Sequence, residues 1–344
     1  MNRGLAIVAA VSCLTLAAPA AAVVNGTEVD HATVPWFVSV SGCGGTLVTP
    51  TRVLTAAHCV RDHSPADLGA VTIAGQRRTY TRFAMHPNWR HANGNSNHLD
   101  DVAIVELSAP ATGVPTVQLG SSVEPEEARI LGTGRAYAPG TGHTEDQTLD
   151  ASLRTAPLRS MTDAECAALF KDRPTAAGER FDKRMRCSID ADGKAPLYSG
   201  CFGDSGGPLW TGNPDAPIQL GVVSWGGDRC GVDHLPSVFA DVVRYRDFIL
   251  APNPTWAPTR VGKVTVEGSA RSGHVLACRV PGYKAQPGTA VAYRWKALPP
   301  KNVLADGRTY KLRRADRGHR VACFVTASND GGPVLVGVAS RLVR

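Results

Sequence analysis

Ser205 stands in Cys201-Phe-Gly-Asp-Ser-Gly-Gly-Pro-Leu209, with glycines on both sides and an apolar run behind it. A serine hydroxyl is a weak nucleophile near neutral pH and needs a base beside it to take its proton. Flanking glycines let the backbone turn tightly, so that the N–H groups of Gly203 and Ser205 can converge on one point. Two converging donors there would hold the oxyanion of a tetrahedral intermediate. His58, in Leu54-Thr-Ala-Ala-His-Cys-Val60, is the candidate base. Asp101, in Asp100-Asp-Val-Ala-Ile-Val-Glu-Leu107, is the candidate to orient it. A hydroxyl, an imidazole and a carboxylate in these roles perform acyl transfer, with the serine as nucleophile and the histidine as proton shuttle.

The chain order His, Asp, Ser and the segments Thr55-Ala-Ala-His-Cys59 and Gly203-Asp-Ser-Gly-Gly-Pro208 resemble the trypsin/chymotrypsin family of serine endopeptidases. The resemblance places the orienting carboxylate directly before an apolar-Ala-apolar strand, which selects Asp101 and leaves Asp100 as a solvated loop charge. It implies that Ser224, in Val223-Ser-Trp-Gly-Gly227, hydrogen-bonds the buried Asp101. Ser224, Trp225 and Gly226 would pair with the substrate backbone as an added strand. Ser199 falls at the floor of the primary specificity pocket, with Gly226 leaving one wall open and Ser237 narrowing the other. Family members that cut after Arg or Lys carry an Asp where Ser199 stands, because a buried cation needs an anion. Neutral P1 residues, apolar or aromatic, are therefore expected. Asp228 and Asp233 lie near enough in sequence to restore some basic preference.

Asp204 beside the nucleophile needs a counter-charge if it is buried. In the family that partner is a freed α-ammonium, and Val23-Val-Asn-Gly26 matches the family's start sequence. The family pattern also pairs Cys43 with Cys59, Cys166 with Cys187 and Cys201 with Cys230, and Cys278 with Cys323 follows in the tail. The charged stretch inside the Cys166–Cys187 loop reads as a solvated insertion near the cleft.

Several short strands must carry these residues: Phe37–Val40, Gly45–Val48, Arg52–Thr55, Val102–Val105 and Gln219–Val223, separated by Gly, Pro and Asn clusters. They read as an antiparallel barrel or sandwich; the family resemblance implies the all-β fold class, a chymotrypsin-like double antiparallel β-barrel, and a C-terminal helix reads over Val242–Leu250, whose apolar residues recur three and four apart. Ala251–Pro258 holds three prolines and reads as a semi-extended linker. Beyond it Val275–Val280, Val291–Lys296 and Arg320–Thr326 alternate as half-buried strands. The order Cys278, Trp295, Cys323 resembles an immunoglobulin-like β-sandwich, where a Trp packs on the disulfide. Val321 stands where that family's tyrosine would be.

The amino-terminal Met1-Asn-Arg3, an apolar run over Leu5–Ala18 and the exit Ala20-Ala-Ala22 read as a signal peptide over residues 1–22. That run is too short to span a membrane. Cleavage before Val23 would free the amine that Asp204 awaits, so the enzyme is expected to be exported active, without a zymogen stage. Of nine cysteines Cys13 lies in the signal, and the other eight, with no C-x-x-C spacing, favour disulfides over zinc.

The organisation expected is thus 1–22 signal, 23–250 protease domain, 251–258 linker and 259–344 β-sandwich. From Pro258 to Arg344 there are 16 Lys and Arg against 4 Asp and Glu, whereas the rest of the chain is acidic, with 21 against 26. Scattered over strands, these cations favour a charged surface or an anionic cell-surface polymer over nucleic acid. No acidic cluster marks a calcium loop between Val60 and His86, so no metal and no cofactor are expected. The competing classes are a binding protein that keeps the fold without catalysis and a protease targeted to a surface by its tail. Alanine, glycine and arginine usage points to a bacterial, high-GC source.

Overall fold

The computed structural model describes residues 23–61, 63–89, 98–124, 126–134, 152–171, 179–195, 197–227, 230–231, 234–258, 263–281, 288–299 and 302–344. The signal-peptide reading, Asp228 and Asp233 lie outside them. Strand β1 (Thr27–Glu28) belongs with the second barrel. The first barrel is an antiparallel six-stranded sheet of β2 (Phe37–Val40), β3 (Cys43–Thr49), β4 (Arg52–Thr55), β5 (Ala70–Ile73), β6 (Gln76–Met85) and β7 (Ala103–Leu107), ordered β2-β3-β4-β7-β6-β5. Its buried Phe37, Val53, Leu54, Phe83 and Ile104 come from four of these strands, β2, β4, β6 and β7. A single turn, α1 (Ala57–Val60), leaves the end of β4.

The second barrel contains β8 (Gln118–Leu119), β9 (Glu127–Gly132), β10 (Arg154–Ser160), β11 (Met185–Asp190), β12 (Pro208–Asn213), β13 (Ala216–Trp225) and β14 (Ser237–Asp241). The order β1-β10-β11-β14-β13-β12-β9 closes because β9 also pairs with β10. The two barrels meet backbone to backbone at one point, where a Cβ on Gly44 would lie 2.8 Å from the Gly207 Cα. Only glycine permits that approach. Trp36 and Trp210 pack edge to face beside it at 5.2 Å, and buried Thr46 donates to Gln219 across the seam at 2.5 Å. The double antiparallel barrel that the family resemblance implies is the observed fold.

Helix α2 (Asp163–Lys171) lies between β10 and β11 and was not expected. Its start has the reciprocal Thr-x-x-Glu cap: Glu165 N–H donates to Thr162 Oγ1 at 3.1 Å, and Thr162 N–H donates to Glu165 Oε2 at 2.8 Å. The helix expected over Val242–Leu250 is shorter, α3 (Arg246–Leu250). Val242 N–H is spent on the Leu220 carbonyl and Val243 N–H on Asp241 Oδ1, which hold the first residues in turns.

The tail adds β15 (Thr265–Glu267), β16 (Val275–Arg279), β17 (Ala290–Leu298), β18 (Val303–Asp306), β19 (Thr309–Lys311), β20 (Arg320–Asn329) and β21 (Gly332–Leu342). They form two sheets, β15-β16-β19 and β18-β17-β20-β21, around one core that holds Trp295 and the Cys278–Cys323 bridge. The proline-rich stretch before it lies against the first barrel. Arg52 donates to the Ala251 and Pro252 carbonyls at 2.6 and 2.7 Å, and Trp256 sits under the Arg82 guanidinium at 4.1 Å. The turn joining β20 to β21 follows it down, with Met85 N–H donating to the Gly331 carbonyl at 2.9 Å.

Candidate active site

Helix α1 places His58 by backbone economy. Ala56 and Ala57 are fully buried, so nothing larger could let the turn sit on the barrel, and Cys59 is tied to Cys43 at the start of β3. His58 N–H donates to Asp101 Oδ1 at 2.9 Å, and its Nδ1 lies 2.7 Å from Asp101 Oδ2. This double contact fixes the ring and commits Nδ1 to the carboxylate, leaving Nε2 for other chemistry. Asp101 is fully buried, and Ser224 from the end of β13 donates to its Oδ2 at 2.6 Å. Burial alone would raise its pKa; the charge and hydrogen bonds of His58, with those of His98, outweigh that and hold the carboxyl well below the usual range.

Ser205 is half-buried in the loop between β11 and β12. Gly203 turns that loop at φ +96°, and Gly206 at φ +76° has no room for a side chain, since a Cβ would stand 2.3 Å from Thr55 Oγ1. Gly44 N–H donates to the Ser205 carbonyl at 2.8 Å, tying the loop to β3 of the other barrel. The Cys201–Cys230 and Cys166–Cys187 bridges form as the family resemblance implies. Asp204 points away from the cleft and is fully buried. Its oxygens accept N–H bonds from Cys201 and Gly134, both at 2.8 Å, and a further one from Val23. Burial outweighs these amides and pushes the Asp204 pKa up to about 6. Val23 is itself fully buried, and Val24 pairs with Ser199 as an isolated bridge.

His58 and Ser205 line one cleft of about 440 Å³, whose walls include Gly200, Phe202, the Ser224–Gly227 segment and Ser237. A Cβ on Gly226 would meet nothing closer than 3.5 Å, so that wall is open. Ser237 Oγ accepts from Gly200 N–H at 3.0 Å and stands 3.4 Å from Ser199 Oγ. Ser199 donates to the Gly200 carbonyl at 2.8 Å and does not itself line the cleft; it sits behind Ser237. Trp225 packs on Phe170 of α2 at 4.8 Å between ring centroids.

Three charged residues stand where the sequence reading did not put them. Asp100 is not a solvated loop charge. At φ +58° it is turned inward, 4% exposed, with Arg184 at 2.8 Å, the Tyr245 hydroxyl donating at 3.2 Å and His86 at 3.8 Å. Glu179, from the charged Cys166–Cys187 loop, is 9% exposed and lines the cleft, and is not part of a solvated insertion. It lies 3.1 Å from His98, which also lines the cleft. The position of His98, three residues before Asp101, was the only sequence signal for either.

A family model described as Trypsin matches residues 23–249. Human Kallikrein-2 is 31% identical, covering 67% of this chain and 91% of its own length. Trypsin iota of Drosophila melanogaster is 31% identical over 66% of this chain and 87% of its own. Among solved structures, mouse neuropsin, titled a serine protease expressed in the limbic system of the brain, superposes with a TM-score of 0.52 at 25% identity, covering 66% of this chain and 98% of that one. Residues beyond 249 lie outside the family match. With half the chain and more matched and the double barrel in place, the chain belongs to the trypsin family and is a serine endopeptidase.

Proposed function

We propose that Ser205 attacks the scissile carbonyl of a protein or peptide while His58 takes the hydroxyl proton. His58 then delivers that proton to the leaving amine, and water hydrolyses the acyl group from Ser205 by the reverse proton path. Asp101 orients His58 and stabilises its imidazolium. Gly203 and Ser205 N–H groups hold the oxyanion. The observation that carries this reading is the network in which buried Asp101 accepts from His58 at 2.7 Å and Ser224 at 2.6 Å, with His58 and Ser205 in one cleft.

Substrate backbone pairs with Ser224, Trp225 and Gly226 as an added strand. Ser237, with Ser199 behind it, brings a hydroxyl and, among the described residues, no anion to the pocket's base, which supports neutral apolar or aromatic P1 residues over Arg or Lys. Cleavage before Val23 converts its amide into an ammonium that pairs with Asp204. We infer from the signal-like leader that the protein is exported, and from composition a bacterial source, though the relatives above are animal proteins. Residues 259–344 are read as an immunoglobulin-like module whose basic surface suits an anionic cell-surface polymer. A fold kept without catalysis has no observation in its favour, since all three candidate catalytic residues are present.

An active-site phosphonate should label wild-type protein at Ser205 and leave Ser205→Ala unlabelled, and a P1 panel should rank Leu, Phe and Tyr above Arg and Lys. Equal labelling of the Ala variant would overturn the nucleophile, and faster Arg or Lys cleavage would overturn the specificity reading.

A further inference from the structure

His98 and Glu179 are unused by the reaction described above, yet both line its cleft. His98 Nδ1 lies 3.4 Å from Asp101 Oδ2, and its Nε2 lies 3.1 Å from Glu179 Oε1. Both ring nitrogens therefore face carboxylate oxygens, which accept and cannot donate when ionised. An imidazole satisfies two such acceptors only by carrying two protons. The ring also meets His58 edge to face, 5.5 Å between centroids.

We propose that His98 and Glu179 form a charge bridge that positions Asp101 from the cleft and sets the pH range over which His58 works as a base. This rests on the reading of His58 as the base. Burial opposes a charge on His98, but the hydrogen bonds and charges of Asp101 and Glu179 outweigh burial and hold its pKa up at about 9. His98 is then a cation throughout the neutral range.

Among the described residues the charges around it can be followed. Asp101 comes from its own loop, His58 from α1 and Glu179 from the segment before β11. Asp100, two residues on, is turned to Arg184, Tyr245 and His86, so its charge is met elsewhere. Arg180, beside Glu179, is exposed. When His58 takes a proton from Ser205 it becomes a second cation beside His98, sharing the same Asp101 oxygen. His98 thus opposes protonation of His58, and Glu179 favours it. With the rings 5.5 Å apart and screened by partial exposure, the His98 effect is on the order of one pH unit; Glu179, on the other side of the His98 ring, acts more weakly.

The two substitutions must act in opposite directions. His98→Asn removes a cation, so the acid limb of the kcat/KM profile should move up in pH by about one unit. Glu179→Gln removes an anion, so the limb should move down, and the double variant should return toward wild type. A merely structural role would lower activity without this reversal of sign. Limbs that stay put, or move the same way in both variants, overturn the bridge. A wild-type enzyme that does not turn over removes the bridge together with the reading beneath it; a working wild type with unmoved limbs removes the bridge alone. Should either variant fail to fold, NMR titration of histidine-labelled wild type decides. His98 should titrate near 9, and titration at the ordinary 6.5 overturns the proposal.

Discussion

Asp101 and Asp204 flank the proposed chemistry of Ser205, one behind His58 and the other next in the chain, and both are fully buried. They are supported in opposite ways. Asp101 takes side-chain donors, from His58, Ser224 and His98, and two of these can carry charge. Among the described residues Asp204 takes only backbone N–H groups, from Cys201, Gly134 and Val23. The packing around it explains why. A Cβ on Gly132 would fall 2.1 Å from Asp204 Oδ1, and one on Gly134 2.6 Å from it, so no side chain can approach from that wall. A charge carried on the backbone itself would fit there, and the freed amine proposed at Val23 would be one. Opposite pKa directions follow: Asp101 is held down by the side-chain partners already present, and Asp204 is raised to about 6 while Val23 N is still an amide. A buried carboxylate with charged partners is a finished device, whereas one with amides alone is waiting for its charge.

The harshest test of that contrast is Asp101→Asn. It keeps the shape but gives His58 Nδ1 a neutral amide, so kcat on a peptide amide should fall on the order of 10⁴-fold. A loss under tenfold would remove Asp101 from the proposed machinery and with it the distinction between the two sites.

The second test compares chain cut before Val23 with chain that keeps its leader. The folded-state pKa of Asp204 in uncut chain is raised from 3.8 to about 6, so the folded form binds the extra proton. Acid therefore favours folding: this contribution is full below about 4 and is lost as pH rises through about 6. Its size is on the order of 3 kcal/mol for a fully buried group. Uncut chain should melt higher at pH 4 than at pH 6.5 through this group, and Asp204→Asn should flatten the slope. Asp101, held low, opposes this as pH falls through the ordinary carboxylate value near 4, where the unfolded chain takes up a proton that the folded form does not. In cut chain the ammonium pairs with ionised Asp204, so the slope should vanish and kcat should rise about a hundredfold or more as the oxyanion loop sets. Calorimetry across pH on both forms reads the slope; the same slope in cut chain would mean that Val23 does not charge Asp204.

How much of this was written locally decides what could be read in advance. Ser205, His58, Asp101 and Ser224 each sit in a short segment whose residue order suffices to suggest its role, and so do the barrel strands that carry them. Asp100 looked like its neighbour's solvated twin, because its partners Arg184 and Tyr245 are 84 and 145 residues away. Only the αL turn at Asp100, set by tertiary contacts, brings them together. His98 and Glu179 fail to stand out for the same reason: neither segment is unusual alone, and their meeting depends on how the two barrels are placed. Helix α2 is a different omission. Its Thr162–Glu165 cap and the buried Cys166 and Phe170, four apart, are local signals, but in a helix of nine residues among short strands they are too brief to stand out.

Ser224→Ala is the mildest way to probe the same comparison. It removes the 2.6 Å hydrogen bond to Asp101 Oδ2 without touching the charge, and His58 and His98 still face that oxygen. A hydrogen bond to a charged group contributes about 1.5–3 kcal/mol, and the remaining donors can tighten onto the vacated lone pair, so the effect should sit at the low end. The expected loss is about tenfold in kcat/KM, far short of Asp101→Asn, and Ser224→Thr should restore part of it. Because the carboxylate keeps two donors that can carry charge, its support is redundant, and this redundancy is what Asp204 lacks. A Ser224→Ala loss as large as that of Asp101→Asn would show that the cluster acts as a single unit, and the contrast between a finished carboxylate and a waiting one would have to be redrawn around Ser224.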